Sequence, residues 1–417
     1  YIRGIGSRIN TPAVGMYVDN IPYLDKSAFD FNFYDIERID ILRGPQGTLY
    51  GRNTMGGLVK VHTRSPFSYQ GTDVKLSYGS GNNHRSASLT HYHRVSQQFA
   101  FSAGGYYEGA DGFFTNEHLN KKVDEMQAGG GRIRAIWLPA DNWKLDFNVN
   151  YDYTDEGGYP YFGPNPYTNG ETIYPSWNYG IAYNRESSYR RSLLNTGLNI
   201  EHQADNFIFN AVTGFQHLND RMHMDQDFSP SDVYTIEQKQ RINSITEEIT
   251  FKSKPGKAWQ WTTGVFGFYQ NMTVNSPVTF REDGIGMLNQ MLGSVMPSKI
   301  EVPMGGPMAM NILPSLNITS AEMPIDGQFK TPQYNIALYH QSQFRDLLGK
   351  EGLSFTVGLR MEYEHMQMDY NSGTSLDYTV GINGQMTQMG QVIRDIEMMP
   401  ATPLTVESRY TGELSKD

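Results

Sequence analysis

The chain contains no cysteine, which excludes disulfide staples and thiolate metal sites. No apolar run approaches the roughly 18 to 20 residues of a membrane-crossing helix, so a helical membrane protein is excluded. A membrane β-barrel is not, because its strands alternate and average out as hydrophilic. Basic runs are also missing, and the formal net charge is −10, so nucleic acid is not an expected partner. There is no HExxH, no GxSxG and no P-loop. The neighbouring carboxylates of Glu247 and Glu248 fall on opposite faces of a strand. No constellation therefore supports catalysis, and none calls for a cofactor. The opening residues YIRGIGSRIN have neither a charged n-region nor an apolar h-region, so no signal peptide is expected there. Aliphatic residues are sparse as well: 38% of the chain is hydrophobic and the mean hydropathy is −0.52.

What is present points to β-structure. Tyrosine (27) and glycine (42) are plentiful, a composition that suits strands with polar faces. In WKLDFNVNYDY (143–153), Trp143, Leu145, Phe147, Val149, Tyr151 and Tyr153 share one face. Lys144, Asp146, Asn148, Asn150 and Asp152 share the other, and a period of two held this long predicts a strand. LSFTVGLRMEY (353–363) repeats the pattern. Weaker examples are DVKLSYG (73–79), NFIFNAVTGFQ (206–216), WQWTTGVFGFY (259–269) and YNIALYHQ (334–341). Roughly twelve strands are expected between 72 and 413. Short connections (139–142, 204–205, 253–258, 344–351) alternate with long ones (109–127, 155–188, 218–238, 272–331, 367–403), the pattern of an up-and-down barrel with turns at one end and loops at the other. A soluble β-sandwich is the alternative, but its strands are shorter, about 5 to 6 residues.

Residues 1–66 have a different texture. AVGMYVDNIPY (13–23) reads as strand, Asp-Asn turn, strand. IERIDILRGPQGTLYGRNTMGG (36–57) crowds glycines beside arginines, and LVKVHTR (58–64) alternates again. PAVGMYVDNIPY followed by FYDIERIDILRGPQGTLYGRNTMGGLVKVHTRSP resembles the plug domain of TonB-dependent outer-membrane receptors. RIRAIWLPADNWKLDFNVNYDY and SITEEITFKSKPGKAWQWTTGVFGFY look like barrel hairpins of the same family.

The resemblance implies a fold: a transmembrane antiparallel β-barrel, part of a 22-stranded one, with an α/β plug inside its lumen. Residues 1–66 would be the C-terminal part of the plug and 67–417 the first twelve or so barrel strands. The chain thus reads as the middle of a longer protein, expected neither to close nor to fold alone. Gly44, Gly47, Gly51, Gly56 and Gly57 would shape plug turns. Arg38 and Arg43 would dock the plug onto barrel-wall carboxylates. A ligand would meet the plug apex, through Arg3, Arg8, Asn10, Tyr23, Lys26, Phe29, Phe31 and Phe33, and the ring-rich loop around Trp177. Arginine with aromatics suits an anionic chelate. The implied activity is energised uptake of a scarce nutrient, first of all a ferric siderophore, with haem, cobalamin or an oligosaccharide as alternative cargo. A passive porin-like channel and a soluble β-rich binding protein are the rivals from other classes. The implied partners are the TonB complex, the lipid bilayer, a small-molecule ligand and, further out, a surface lipoprotein; the implied location is the Gram-negative outer membrane.

Two other clusters stand out. Met287, Met291, Met296, Met304, Met308 and Met310 share one loop. Such a cluster suits either soft Cu(I) or an adaptable apolar surface. His91 with His93, and His217 with His223, read more simply as lumen or rim residues than as metal or haem ligands. No metal site is assigned.

Overall fold

A computed structural model of the chain describes residues 12–29, 32, 34–161, 180–297 and 299–416, together with the backbone of 167–168 and 171–172. Its N-terminal part is a small four-stranded sheet. β1 (Val14–Val18) turns through Asp19 and Asn20 into β2 (Ile21–Tyr23), with Val18 opposite Ile21. Both turn residues have positive φ, 48° and 71°, as a two-residue type I′ hairpin requires. β3 (Ile36–Arg43) leads into the one-turn helix α1 (Gly47–Tyr50) and then β4 (Gly57–Thr63). β4 lies between β1 and β3, parallel to the first and antiparallel to the second.

The rest is a wall of strands, each antiparallel to the next. β5 (Gly71–Gly79), β6 (His84–Arg94) and β7 (Phe99–Ala110) come first. A small hairpin, β8 (Thr115–Asn116) and β9 (Lys121–Lys122), occupies the next loop. The wall resumes with β10 (Met126–Ala140) and β11 (Trp143–Glu156), followed by the loop pair β12 (Tyr167–Thr168) and β13 (Glu171–Thr172). β14 (Ser188–Gln203), β15 (Phe207–Asp225), β16 (Tyr234–Ser253) and β17 (Trp259–Asn275) continue it. A long excursion holds β18 (Val278–Phe280), α2 (Glu282–Val295), β19 (Ile300–Gly305) and β20 (Met308–Ile318). β21 (Met323–Phe344), β22 (Phe355–Gln388) and β23 (Gln391–Lys416) complete the wall. Among the described residues the sheet is open: β5 pairs only with β6, and β23 only with β22.

The wall is inside out relative to a soluble sheet. On β11 the apolar residues face the exterior, with Phe147, Tyr151 and Tyr153 each more than 40% exposed. The polar residues opposite them are buried: Asp146 at 3%, Asn150 at 4% and Asp152 at 1%. Such a strand is stable only with hydrocarbon on its outer face and a polar lumen on its inner face. No described helix is long and apolar enough to cross a membrane; the strands do so instead.

Two expected loops are strand. Residues 218–238 belong mostly to β15 and β16, leaving 226–233 as the connection. Residues 367–403 lie in β22 and β23, joined by a two-residue turn at 389–390. β22 has 34 residues, whereas a tilted strand crosses the bilayer in about 9 to 11. The hairpin therefore projects far beyond the lipid, where no apolar face is needed and its sequence does not alternate. The excursion after β17 also contains a helix the sequence reading did not anticipate. The Asn289 side chain pins it to the end of β20, donating to the Ile318 carbonyl (3.0 Å) and accepting from its N–H (2.7 Å).

The small sheet packs into the concave face of the wall. Val18, Tyr23, Ala28 and Val61 form one core with Leu193, Leu218 and Ile242, which β14, β15 and β16 send inward, all three fully buried. Leu218→Ala should leave a cavity there costing about 2–5 kcal/mol. The check is limited proteolysis in detergent: cleavage within 12–64 should accelerate while the wall stays resistant. Equal cleavage rates would mean that this core does not hold the plug.

Candidate functional site

The small sheet is fastened to the wall mainly by side chains of the wall. On β10, Arg132 and Arg134 alternate with Ile133 and so both point inward. Arg132 donates to the Asp35 carboxylate, with both side chains only 5% exposed. Arg134 makes a two-pronged contact with Asp146 (2.9 and 2.8 Å) and donates to the Thr63 carbonyl (2.9 Å). It also lies 3.6 Å from Asp19. Asp19 meanwhile accepts from the Thr63 N–H (3.0 Å) and hydroxyl (2.6 Å), which ties the β1–β2 turn to β4. Arg191 donates to the Ser27 carbonyl (2.8 Å) and Asn199 to the Asp19 carbonyl (3.0 Å).

The glycine-rich stretch answers to one more wall arginine. Arg360 donates to Glu362 (2.7 Å) and lies over the rings of Phe266 and Tyr339. A Cβ built on Gly51 would fall 2.3 Å from its Nη2, and Gly51 has φ +62°. Sterics and backbone both demand glycine there. Gly44, with φ +91°, turns the chain out of β3.

Arg38 and Arg43 were expected to do the docking. Arg38 instead pairs with Asp40 on its own strand (3.0 Å) and is 62% exposed, while Arg43 is exposed on the same strand. The docking cations seen among the described residues stand mostly on the wall; Arg52, and Arg64, which pairs with Asp73 of β5 (2.6 Å), are the exceptions on the plug side. Gly47 opens α1, the Gly56 N–H donates to the Ala13 carbonyl (2.8 Å), and Gly57 starts β4 opposite Val14.

Among the described residues the lumen holds an outer and an inner cavity. The outer one, about 810 Å³, opens toward the long-loop end. The plug lines it with Leu24, Asp25, Lys26, Ser27 and Arg52; the wall adds Gln240, Phe268, Gln270, Met272, Phe329, Met366 and Met368, among others. Arg52 donates to Glu364 (2.7 Å) with its guanidinium 4.9 Å above the Phe268 ring. The Asn53 amide fixes the Leu24 carbonyl (3.2 Å), and Asp25 caps the Lys26–Ala28 turn through the Ser27 N–H (2.8 Å). Burial pushes the Asp25 carboxyl up, against the pull of the Ser27 N–H.

The inner cavity, about 450 Å³, lies toward the short turns and is charged, with Lys60, Lys144, Lys252, Asp19, Glu201 and Glu248 on its walls. Burial pushes the Lys60 ammonium down, while Asp40 and Glu248 pull it back up. Leu24, from the outer cavity, and Leu49, from the inner one, pack on the same wall cluster of Phe266, Phe268, Ala337 and Tyr339.

Of the residues expected at the apex, Tyr23 is 3% exposed in the plug–wall core and Phe29 is packed against that core. Lys26 lines the outer cavity. Arg3, Arg8, Asn10, Phe31, Phe33 and Trp177 lie outside the described residues. Sequence reasoning missed Arg52, Met272, Met366 and Met368; the only signal was their place on the polar, inward parity of strands and plug loop. The loop methionines divide between α2 and the β19–β20 hairpin. The His91 and His93 rings stack at 5.9 Å on the outer face, and His217 bonds Asn243 (2.7 Å).

Arg132→Ala should strand a buried Asp35 carboxylate at a cost of about 3–5 kcal/mol, and Gly51→Ala should force Arg360 out of its seat. Both variants should speed amide hydrogen exchange in β1–β4 without changing it in β14–β17. Unaltered exchange in the plug sheet would refute the assignment of these contacts as its fastening.

Comparison with known proteins bears on this arrangement. A family model described as the TonB-dependent receptor plug domain matches residues 1–58. The chain is 24% identical to the pesticin receptor of Yersinia enterocolitica over 280 residues, which is 65% of this chain and 39% of that one. It is 30% identical to the ferrioxamine B receptor of Salmonella typhimurium over 178 residues, 41% of this chain and 24% of that one. The chain thus matches well under half the length of these relatives. The crystal structure of the ferric yersiniabactin uptake receptor from Yersinia pestis superposes with a TM-score of 0.57 at 14% identity, covering 93% of this chain and 65% of that one.

Proposed function

We propose that the chain is part of a TonB-dependent receptor of the Gram-negative outer membrane, a reading that the plug-domain match and the receptor relatives support, and that it takes part in energised uptake of a ferric siderophore. The observation that carries this reading is the pair of lumen cavities separated by the Leu24 and Leu49 contacts. A passive pore would hold an open path. Here Leu24 and Leu49 of the plug rest on an apolar wall cluster, and apart from the core at Leu193, Leu218 and Ile242 much of the remaining contact with the wall is polar. The outer cavity is the receiving site. Arg52, Lys26 and the amides of Gln240 and Gln270 offer donors to the oxygens of a chelate. Phe268, Phe329 and the methionines offer faces for its organic framework. The apex residues Arg3, Arg8, Asn10, Phe31 and Phe33 and the loop residue Trp177 extend this site by resemblance. Arg38, which would first have to leave Asp40, and Arg43, exposed on β3, would dock onto other carboxylates of the receptor. That relatives carry names such as ferrioxamine B receptor supports the cargo class; the TonB complex would supply the work of displacing the plug.

The test is uptake of radiolabelled ferric chelates by cells whose only receptor is this one. Uptake should require TonB. Arg52→Ala should weaken binding to the purified receptor roughly tenfold, about 1.4 kcal/mol. TonB-independent uptake would make the protein a passive channel, and unaltered affinity in Arg52→Ala would move the site away from the outer cavity.

A further inference from the structure

The outer face of the wall carries a built row of cations that uptake does not use. Arg191 and Leu193 of β14 point inward to the plug, so Arg190 points outward. By the same parity Leu218 points inward on β15 and Ile242 on β16, and Arg221, Lys239 and Arg241 point outward. Arg190 stands directly opposite Arg221, and Arg221 directly opposite Lys239. Arg241 is the next outward residue on β16, opposite Asn219. The first three are 55%, 48% and 53% exposed, and Arg241 is exposed too.

Like charges directly opposite one another repel. Two carboxylates relieve this in part. Asp155 takes the Arg190 Nε (3.0 Å), and Glu237 takes both the Arg221 Nε (2.8 Å) and the Lys239 Nζ (2.8 Å). Three of the four cations thus share two carboxylates, whose bonds to Arg190 and Arg221 use the Nε donors and leave the Nη donors for another acceptor.

The height of the row identifies that acceptor. Toward the short turns, the first apolar outward residues are Leu194 on β14, Phe215 on β15 and Ile245 on β16. Arg190 and Arg241 stand four residues beyond this edge, Arg221 and Lys239 six. With a rise of about 3.3 Å per residue and a tilt near 45°, that is roughly 9 to 14 Å outside the hydrocarbon. Phosphorylated headgroups of the outer leaflet occupy this layer, and a phosphate is the anion whose geometry an arginine fork matches. We propose that Arg190, Arg221, Lys239 and Arg241 form a binding site for the phosphate groups of an outer-leaflet lipid. The lipid would clasp three neighbouring strands and offset their mutual repulsion.

The test uses the receptor purified in detergent from outer membranes. Native mass spectrometry should find a phosphorylated glycolipid retained, and the variant Arg190→Gln/Arg221→Gln/Lys239→Gln should retain at least fivefold less. Arg221→Gln alone should lose part of it, and unheated gel mobility reports that each wall is folded. Added back, the dephosphorylated lipid should bind the wild-type receptor at least fivefold more weakly. Equal retention by wild type and the folded triple variant would overturn the site. So would equal binding of the dephosphorylated lipid, or displacement of the lipid by millimolar inorganic phosphate, which would make the row a site for free anions.

Discussion

Everything in this structure follows from where the polar face of the wall must point. In hydrocarbon a strand can leave no backbone group unpaired and can show the lipid only apolar side chains. Its alternate residues then face a lumen and are free to be polar. β11 shows the result at Asp146, Asn150 and Asp152, which are buried although hydrophilic. A plug that fills such a lumen cannot rely on a large dry core. It meets the wall through two small apolar patches, one at Leu193, Leu218 and Ile242 and one at Phe266, Phe268, Ala337 and Tyr339, and elsewhere through hydrogen-bonded charge. The Arg132–Asp35 and Arg134–Thr63 contacts are thus consequences of the membrane outside as much as of the plug inside.

The same constraint gives the plug its capacity to move. Removing one partner from a buried ion pair is costly, but exchanging partners within a hydrated, multiply charged lumen is far cheaper. Arg134 already faces two carboxylates, Asp146 and Asp19, and the inner cavity beside it holds cations and anions side by side. Leu24 and Leu49, one lining each cavity, rest on the same small apolar surface of the wall. The path is closed by the contacts that are easiest to break by pulling, and the plug is kept in register by contacts that can be traded.

How legible this was in the sequence depends on which force wrote each segment. Where lipid touches the strand, as at 143–153, alternation is enforced and was readable. Beyond the lipid, as in the outer half of β22 and in β23, nothing enforces it, and strand there looked like loop. α2 was missed because Ile285, Leu288, Leu292 and Val295 repeat at helical spacing inside a stretch whose methionines drew attention to metal chemistry. The plug hairpin was readable because Asp19-Asn20 is a local signal. The direction of the docking charge was not. Arg38 and Arg43 stand out because they flank a memorable motif, whereas Arg132 and Arg134 look like ordinary strand residues. Sequence does not say which side of an ion pair carries the cation, since the energy is the same either way. Tyr23 was assigned to a ligand because it is aromatic and near the apex, yet its parity on β2 turns it into the core.

The glycine-rich stretch after β3 shows how far a local rule can reach. Gly51 has positive φ, and that alone would explain a glycine in a tight turn. But the missing side chain also makes the room into which Arg360 projects, and Arg360 in turn spans Phe266 and Tyr339, two members of the cluster on which Leu24 and Leu49 rest. A single residue without a Cβ thus lets a wall cation stand behind the apolar barrier between the cavities. Any movement of the 47–52 segment must withdraw Gly51 from Arg360 and Leu49 from Tyr339 together. The plug turn at Gly51 and the position of the Arg360 guanidinium are therefore coupled by one steric fact.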